Sequence, residues 1–498
     1  MVRSRSARLM LLSSAALMAC NDKDKGGDSG GDEALTCEVA IIGGGAGGLH
    51  TAMRLAPSLG DGVCLFEKES ELGGRIHDVA FDESDPDSPR VGVGARRVME
   101  GQPVVFDLAD ELGLTLETPA LKADLINARG GYAFSKEDLL SLYPGVEPDP
   151  SGDTETALYD ALRFGPERAN VGDYENFEAY VRAVVGDEGY DFLHDMSRFR
   201  ADFENPLDAA GYLDWLDEEW DVCCNASYPV GGMSQFIVGM EAAAVADGAR
   251  VFTSEAVSSI NRADGGGYVL QTATHTVNAE KVVIAVPPGA LAYITGDVAD
   301  DIKIQPIYQD IVGVKVVTIT QWWETPWYAD VLNPALTEDN TVWRAWTTEH
   351  CLNFIEIPVE PYAAAANVTR SVYNDQLECS QYWEDLNAEG GGAVEAAVKE
   401  GLELLFVNNG VSEPSDLVIP DPLKTYVQIW PAAWHWLGEG ATATNAELYE
   451  WAADPLSGED VGLVGEAYNV QRSAWSDGAY KSSIHLLNTR YGMDLPGL

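Results

Sequence analysis

Three features of this chain combine residue types and spacings that can bind phosphate or hold an unusual charge. Residues 37–50, CEVAIIGGGAGGLH, place Gly43-x-Gly45-x-x-Gly48 directly after the apolar run Val39, Ala40, Ile41, Ile42. In such a strand-turn-helix the first glycine allows the tight turn, the second lets the backbone approach a pyrophosphate, and the third lets helix and strand pack closely. The helix N-terminus, around Ala46 and Gly47, then offers N–H groups to the anion. A second apolar run, VCLFE at 63–67, ends in Glu67. This is about 20 residues beyond the glycines, where an acid can hold a ribose hydroxyl. The third feature is Lys315, the one cation in DIVGVKVVTITQWW at 310–323. Counting by twos, Val312, Val314, Val316 and Thr318 share one face of a strand, and Ile311, Gly313, Lys315, Val317 and Ile319 the other. A lone ammonium in a strand buried on both sides is costly and its pKa is depressed. The bland alternative is a lysine snorkelling to water from an edge strand.

These groups need scaffolding. Leu49, Ala52, Met53 and Ala56 recur at helical spacing between the two apolar runs, so the segment is β-α-β. The 498 residues suffice for two or three domains with substantial cores. A net charge of -49 excludes nucleic acid as a partner and implies a solvated, self-repelling surface. At the start, Arg3, Arg5 and Arg8 precede an apolar run from Leu9 to Ala19 that is too short to cross a bilayer, the layout of a secretory signal. LMAC at 17–20 resembles the bacterial lipoprotein cleavage box. The resemblance implies a signal over 1–20, a lipidated Cys20 as the sole membrane attachment, and an exported protein anchored at the bacterial envelope. Residues 21–36 are too polar and glycine-rich to fold and form a flexible linker. The remaining cysteines show no CxxC spacing or histidine cluster, so no metal site is expected. Cys37 and Cys64 read as core residues. Cys223 with Cys224, or Cys351 with Cys379, could form disulfides, the pairing being open.

From KESELGGRIHDV onward, directly after Glu67, the chain resembles the flavin-dependent amine oxidases, which include monoamine, polyamine and L-amino-acid oxidases. Gly73, Gly74 and Arg75 match that family's Gly-Gly-Arg, whose arginine lies along the FAD phosphates. The resemblance therefore implies FAD, held also by Lys68 beside Glu67. VGVGARRVM at 91–99 resembles the stretch beside the flavin ring. It implies that Gly94, Ala95 and Arg96 touch the cofactor and that Arg97 grips a substrate carboxylate, for which a fork of N–H donors is suited. YPVGGMSQFIVGMEAAAVADGARVFTSEAVSSI resembles the family's return to the FAD domain. Here a helix over 234–246 leads to strands near 250–253 and 256–260, with the Val257 backbone holding adenine. Lys315 matches a lysine joined through a water to flavin N5, with Trp322 and Trp323 beyond it. In GEAYNVQRSAWSDGAYKSSIHLL, Glu466 would bond the pyrophosphate-ribose region, and Gly478 and Ala479 open a helix aimed at the flavin C2 carbonyl. Trp475 would form one wall of an aromatic substrate cage against the cofactor, and Trp434, from IWPAAWHWLGEG, a second. No cysteine lies in WPAAWHW, so the flavin is expected to be non-covalent.

The implied fold is α/β. An FAD-binding doubly wound, Rossmann-like domain is assembled from 37–110, 226–296 and 455–498, and a discontinuous α+β substrate domain from 111–225 and 297–454. The implied activity is FAD-dependent oxidation of L-amino acids, in which hydride passes to flavin N5, the imine hydrolyses, and O2 becomes H2O2. Two alternatives stand beside it: an amine or polyamine oxidase without carboxylate recognition, and a non-catalytic surface lipoprotein keeping the flavin fold. The expected partners are a small amine or amino acid and O2, with homodimer formation left open. The acidic insert at 111–225 carries no recognisable motif.

Overall fold

The computed structural model describes residues 34–119, 123–222, 225–328, 342–358, 367–408 and 417–497. The leader, Cys20, most of the linker and the pair Cys223 and Cys224 lie outside the described residues.

Strand β1 (Leu35–Ile42) and β2 (Val63–Phe66) flank helix α1 (Ala46–Leu59), giving the expected β-α-β unit. Val39, Ile41, Val63 and Leu65 pack on one face of the sheet and Ala40, Ile42, Cys64 and Phe66 on the other, so both strands are buried on two sides. That burial explains their unbroken apolar runs. Cys37 and Cys64 do more than fill the core. They are joined by a disulfide across the first two strands, with Cα atoms 6.0 Å apart. Both project onto the same face of adjacent strands, a proximity that spacing along the chain does not reveal.

Two further strands, β3 (Ala123–Ala128) and β4 (Gly131–Ala133), form a hairpin. Beyond this hairpin the acidic insert is mainly helical, and its helix α2 (Ala209–Val222) matters for the site. After it come α3 (Ser234–Ala246), β5 (Arg250–Phe252), β6 (Ser259–Arg262), β7 (Tyr268–Gln271) and β8 (Thr276–Ile284). The strand expected over 256–260 starts later, at Ser259, so Val257 sits in the loop before β6. The second half supplies β9 (Ile311–Trp322), β10 (Val342–Thr347), β11 (Phe354–Glu356), β12 (Val368–Asn374), α4 (Leu377–Glu389), β13 (Lys424–Leu437), β14 (Val461–Leu463) and α5 (Ser476–Tyr491).

These strands make two large sheets. The first runs β5-β2-β1-β8-β7-β6, with β14 also paired to β8. Its β5, β2, β1, β8 and β14 are mutually parallel, while β6 and β7 add an antiparallel hairpin layer. The fold is thus α/β and doubly wound, as expected. The second sheet runs β13-β9-β12-β11-β10-β3-β4. A second disulfide, Cys351–Cys379, ties the loop after β10 to α4.

Candidate active site

The glycine turn separates positions needed by the fold from those left open. Gly43 has φ +106°, and a Cβ there would lie 2.6 Å from the Ala285 carbonyl oxygen. A Cβ on Gly48 would sit 2.0 Å from the Gly43 oxygen, which is the close strand-helix packing. A Cβ on Gly47 would meet Val464 at 2.7 Å. At Gly45, by contrast, φ is -79° and the nearest atom to an added Cβ is the Gly73 oxygen at 3.9 Å. Neither conformation nor packing requires glycine there. Gly74, at φ +57°, faces it with Gly45 Cα 3.6 Å from its own Cβ position. Two glycine turns thus leave a cradle at the start of α1, whose N-terminus has no side-chain cap. An uncapped helix start beside such a groove can hold an anion.

Glu67 stands beside this cradle at the end of β2. Its carboxylate accepts from Gly44 N–H at 2.8 Å and Glu69 N–H at 2.9 Å. Lys68 points elsewhere, pairing with Glu69 on the exposed surface. Its expected place among the cofactor contacts is corrected, because the strand has ended and the side chain turns to water.

Arg75 donates through Nη1 to the Ala433 carbonyl at 2.8 Å and to Glu466 Oε2 at 2.6 Å. Among the described residues its Nε and Nη2 have no partner, so part of the fork remains for a phosphate. Glu466 does not reach toward a ligand in this arrangement. Its oxygens accept from the His435 N–H at 2.9 Å, His435 Nδ1 at 3.0 Å, Ser473 Oγ at 3.0 Å and Ala474 N–H at 3.3 Å. The expected bond to the cofactor's pyrophosphate-ribose region gives way to a buried hub that holds Arg75 in place. Burial pushes the Glu466 carboxyl up, but Arg75 and His435 outweigh it and bring it to about 2. A carboxyl depressed below its unfolded value stabilises the fold above about pH 4.5 and loses that contribution as pH falls toward 2. Glu466→Gln should therefore flatten this part of the acid limb in a stability-versus-pH series. At neutral pH it should cost about 3–5 kcal/mol, because Arg75 loses its buried partner.

On the other side, residues 93–97 lie against the Arg75 turn. Ala95 N–H donates to the Arg75 carbonyl at 2.9 Å, and a Cβ on Gly94 would clash with that oxygen at 2.0 Å. The Val93 carbonyl accepts from Trp430 Nε1 at 3.0 Å and Thr318 Oγ1 at 3.3 Å. Arg96 turns away from the cradle to the buried Glu356, which Arg370 also binds at 2.7 Å. Burial raises the Glu356 carboxyl, but Arg96 and Arg370 hold it net well below the usual range. Arg96 therefore ties this segment to the second sheet, which corrects its expected contact with the cofactor.

Arg97 differs from its neighbour. Among the described residues no carboxylate lies within ion-pair distance, and its guanidinium stands 5.7 Å from the centroid of the Trp475 ring. Burial, then the like charge of Arg96, lower its pKa. Trp475 immediately precedes α5, and its indole N–H donates to Glu219 Oε2 of α2 at 2.7 Å. Cation, aromatic face and carboxylate thus meet where the 93–97 segment, the start of α5 and the helical insert converge.

The family model for flavin-containing amine oxidoreductases matches residues 46–360. The chain belongs to the flavin-containing amine oxidoreductases. One curated relative, the FAD-dependent oxidoreductase pigF of Monascus ruber, is 42% identical over 71 residues, a stretch covering 14% of this chain and only 15% of that protein. Wild-type putrescine oxidase bound to putrescine has a similar structure, with a TM-score of 0.64 at 17% identity over 92% of this chain and 100% of that one. A redesigned double mutant of putrescine oxidase gives 0.62, at 17% identity over 91% and 99%. At such identities the likeness is one of fold.

FAD fits the residues present in this amine oxidoreductase. The methyl-free space at Gly45, the free Nε and Nη2 of Arg75 and the uncapped start of α1 suit a diphosphate. Val257, 8% exposed, has neither its N–H nor its carbonyl paired among the described residues, as a backbone holding adenine requires. At the far end Gly478 lies in the first turn of α5, where a Cβ would lie 2.5 Å from the Arg472 oxygen, and Ala479 follows, buried in the same turn.

Lys315 does not join this site. It is ion-paired with Glu384 of α4 at 2.6 Å and donates to Gln381 at 3.3 Å. It shares the face of β9 that carries Val317 and Ile319, which pack in one core with Trp383 of α4. The opposite face carries Val314, Val316 and Thr318, and it is Thr318 that reaches the Val93 carbonyl. An ammonium on the helix-covered face cannot serve a ligand on the other. Lys315→Met should leave turnover and the flavin spectrum unchanged and shift stability by about 0–1 kcal/mol, as for a half-exposed ion pair; a bleached or altered spectrum would contradict this placement.

Trp434 is buried in the core beside Phe199, with ring centroids 6.4 Å apart. The tryptophan of β13 that reaches the cofactor side is Trp430, whose ring would lie 3.2 Å from a Cβ on Gly94. The pairing of β9 with β13 slips between Val314 opposite Trp434 and Val316 opposite Trp430, so β13 bulges there. Pro431 within the run was the available signal. Glu219 left none, being one acid in an acidic run.

Proposed function

We propose that this amine oxidoreductase is an oxidase of L-amino acids, and the observation that carries the reading is Arg97. A half-buried guanidinium with no carboxylate within ion-pair distance among the described residues is expensive unless a ligand supplies one, and its fork matches a planar carboxylate. Bound FAD supplies the acceptor for the hydride lost from the carbon bearing nitrogen, and O2 is the proposed final oxidant, giving H2O2. The chain's own part is positional. Arg97 holds the carboxylate, the Trp475 face lies alongside, and the 93–97 segment is fixed on Trp430 and Thr318, so the reacting carbon is presented in one orientation. A peroxide-coupled screen of the twenty L-amino acids and common amines with FAD-loaded protein tests this; turnover confined to amines without a carboxylate would overturn it.

A specific observation favours the second reading, an amine or polyamine oxidase. The carboxylate of Glu219 stands at the same site and suits a cationic substrate group. Export with attachment through Cys20 is likewise proposed from the leader. The disulfides Cys37–Cys64 and Cys351–Cys379 support it, since disulfides persist in oxidising compartments.

A further inference from the structure

An α-amino acid or alkylamine arrives protonated at neutral pH, its ammonium titrating near about 10 in the case of an alkylamine. Loss of a hydride from a carbon bearing –NH3+ would leave a dication, so the amine must first give up a proton. None of the residues assigned so far can take it. Arg97 is a permanent cation, the Trp475 indole only donates, and Lys315 is on the wrong face.

We infer that Glu219 of α2 is the proton acceptor for the substrate ammonium. Its Oε2 is anchored by Trp475 Nε1 at 2.7 Å, and the same indole faces Arg97. No cation lies within ion-pair distance of Glu219 among the described residues, so its charge is not already neutralised. One positive and one negative group therefore flank a single indole, the complement of a zwitterion's –COO- and –NH3+. The step is a proton transfer: the substrate N–H bond breaks, its electron pair stays on nitrogen, and an O–H bond forms on Glu219. The neutral amine is then oxidised, and the proton returns to water when product leaves.

The surroundings bring donor and acceptor together. Burial pushes the Glu219 carboxyl up to about 7, although the Trp475 hydrogen bond and the charges of Arg97 and Arg472 pull it down. On the insert side it faces Asp202 and Tyr212, themselves hydrogen-bonded at 3.0 Å. The same burial lowers the pKa of a bound ammonium, and a base near the working pH is the most effective one.

This inference rests on the proposed function only in needing an amine substrate, so it holds for either reading given above. Wild-type kcat/KM should rise with pH through about 7. In Glu219→Gln, which keeps an oxygen for the Trp475 bond, that limb should move up to the ammonium pKa of the substrate. At pH 7 kcat/KM should fall about 10²-fold, with most of the loss recovered near pH 10 and part of it by Glu219→Asp. A second measurement avoids turnover altogether. 2-Aminoisobutyrate, which has no α-hydrogen to lose, is titrated into FAD-loaded protein at pH 8 in two buffers of different ionisation enthalpy. Wild type should bind it without net proton release and Glu219→Gln should release one proton per molecule. A Glu219→Gln enzyme with the wild-type pH profile and no proton release would overturn the inference alone, whereas a protein that turns over no amine or amino acid would overturn the proposed function with it.

Discussion

Replacing Arg97 with alanine should lower kcat/KM for L-amino acids by about 10²–10³, the equivalent of about 3–4 kcal/mol, because a buried charge-assisted pair with the substrate carboxylate is lost. The same variant should act on amines without a carboxylate at close to the wild-type rate. Arg97→Lys should recover only part of the loss, since a single ammonium cannot reproduce two parallel N–H donors. The variant should not unfold. Among the described residues Arg97 has no carboxylate partner, and its visible interaction is the approach to Trp475, worth about 0.5–1 kcal/mol. A melting temperature close to wild type with selective loss of amino-acid turnover is the expected signature, read by steady-state kinetics and thermal unfolding on the same preparation. Unchanged amino-acid turnover would sink carboxylate recognition and leave the amine reading.

The second large effect is expected at Gly45. Its φ of -79° suits alanine, and an added Cβ would have no atom nearer than the Gly73 oxygen at 3.9 Å. Gly45→Ala should therefore leave the flavin-free protein as stable as wild type, or raise it by about 0.4–1 kcal/mol through the unfolded chain. FAD binding, in contrast, should weaken by about 10²-fold, because the methyl group occupies the space where the diphosphate approaches the backbone. Gly48→Ala is the informative contrast. There the Cβ would meet the Gly43 oxygen at 2.0 Å, so the fold itself should suffer before flavin is added. Thermal unfolding of stripped protein, followed by titration with FAD, separates the two. If Gly45→Ala took up flavin as tightly as wild type, the cradle would have been assigned to the wrong ligand.

Net charge has a bearing on both measurements. At -49 the surface is strongly self-repelling, and exposed ion pairs such as Lys68–Glu69 contribute little at moderate salt. The buried pairs Arg75–Glu466 and Arg370–Glu356 are screened far less. Salt should therefore move overall stability without changing the arrangement at the site.

What the sequence determined by itself was local. The turn at 43–48 and the acid at the end of the second strand follow from constraints confined to a few residues, whereas the Gly-Gly-Arg turn was implied by resemblance to the family. The first β-α-β unit follows from apolar runs flanking a helical period, and the α/β class of the whole chain was implied by the family resemblance. Tertiary structure decided the rest. Alternation along β9 showed that Lys315 and Thr318 lie on opposite faces, but only the packing of α4 revealed which face is covered and which meets the 93–97 segment. A bulge at Pro431 exchanged Trp434 for Trp430. Cys37 and Cys64 proved to be bonded partners because their strands are neighbours. Arg96 and Arg97, adjacent in sequence and identical in chemistry, were separated by Glu356, a carboxylate that can accept only so many guanidinium groups. Glu219 meets Trp475 across 256 residues. A side chain's charge is written in the chain, whereas the partner that neutralises or activates it is set by which distant elements pack around it.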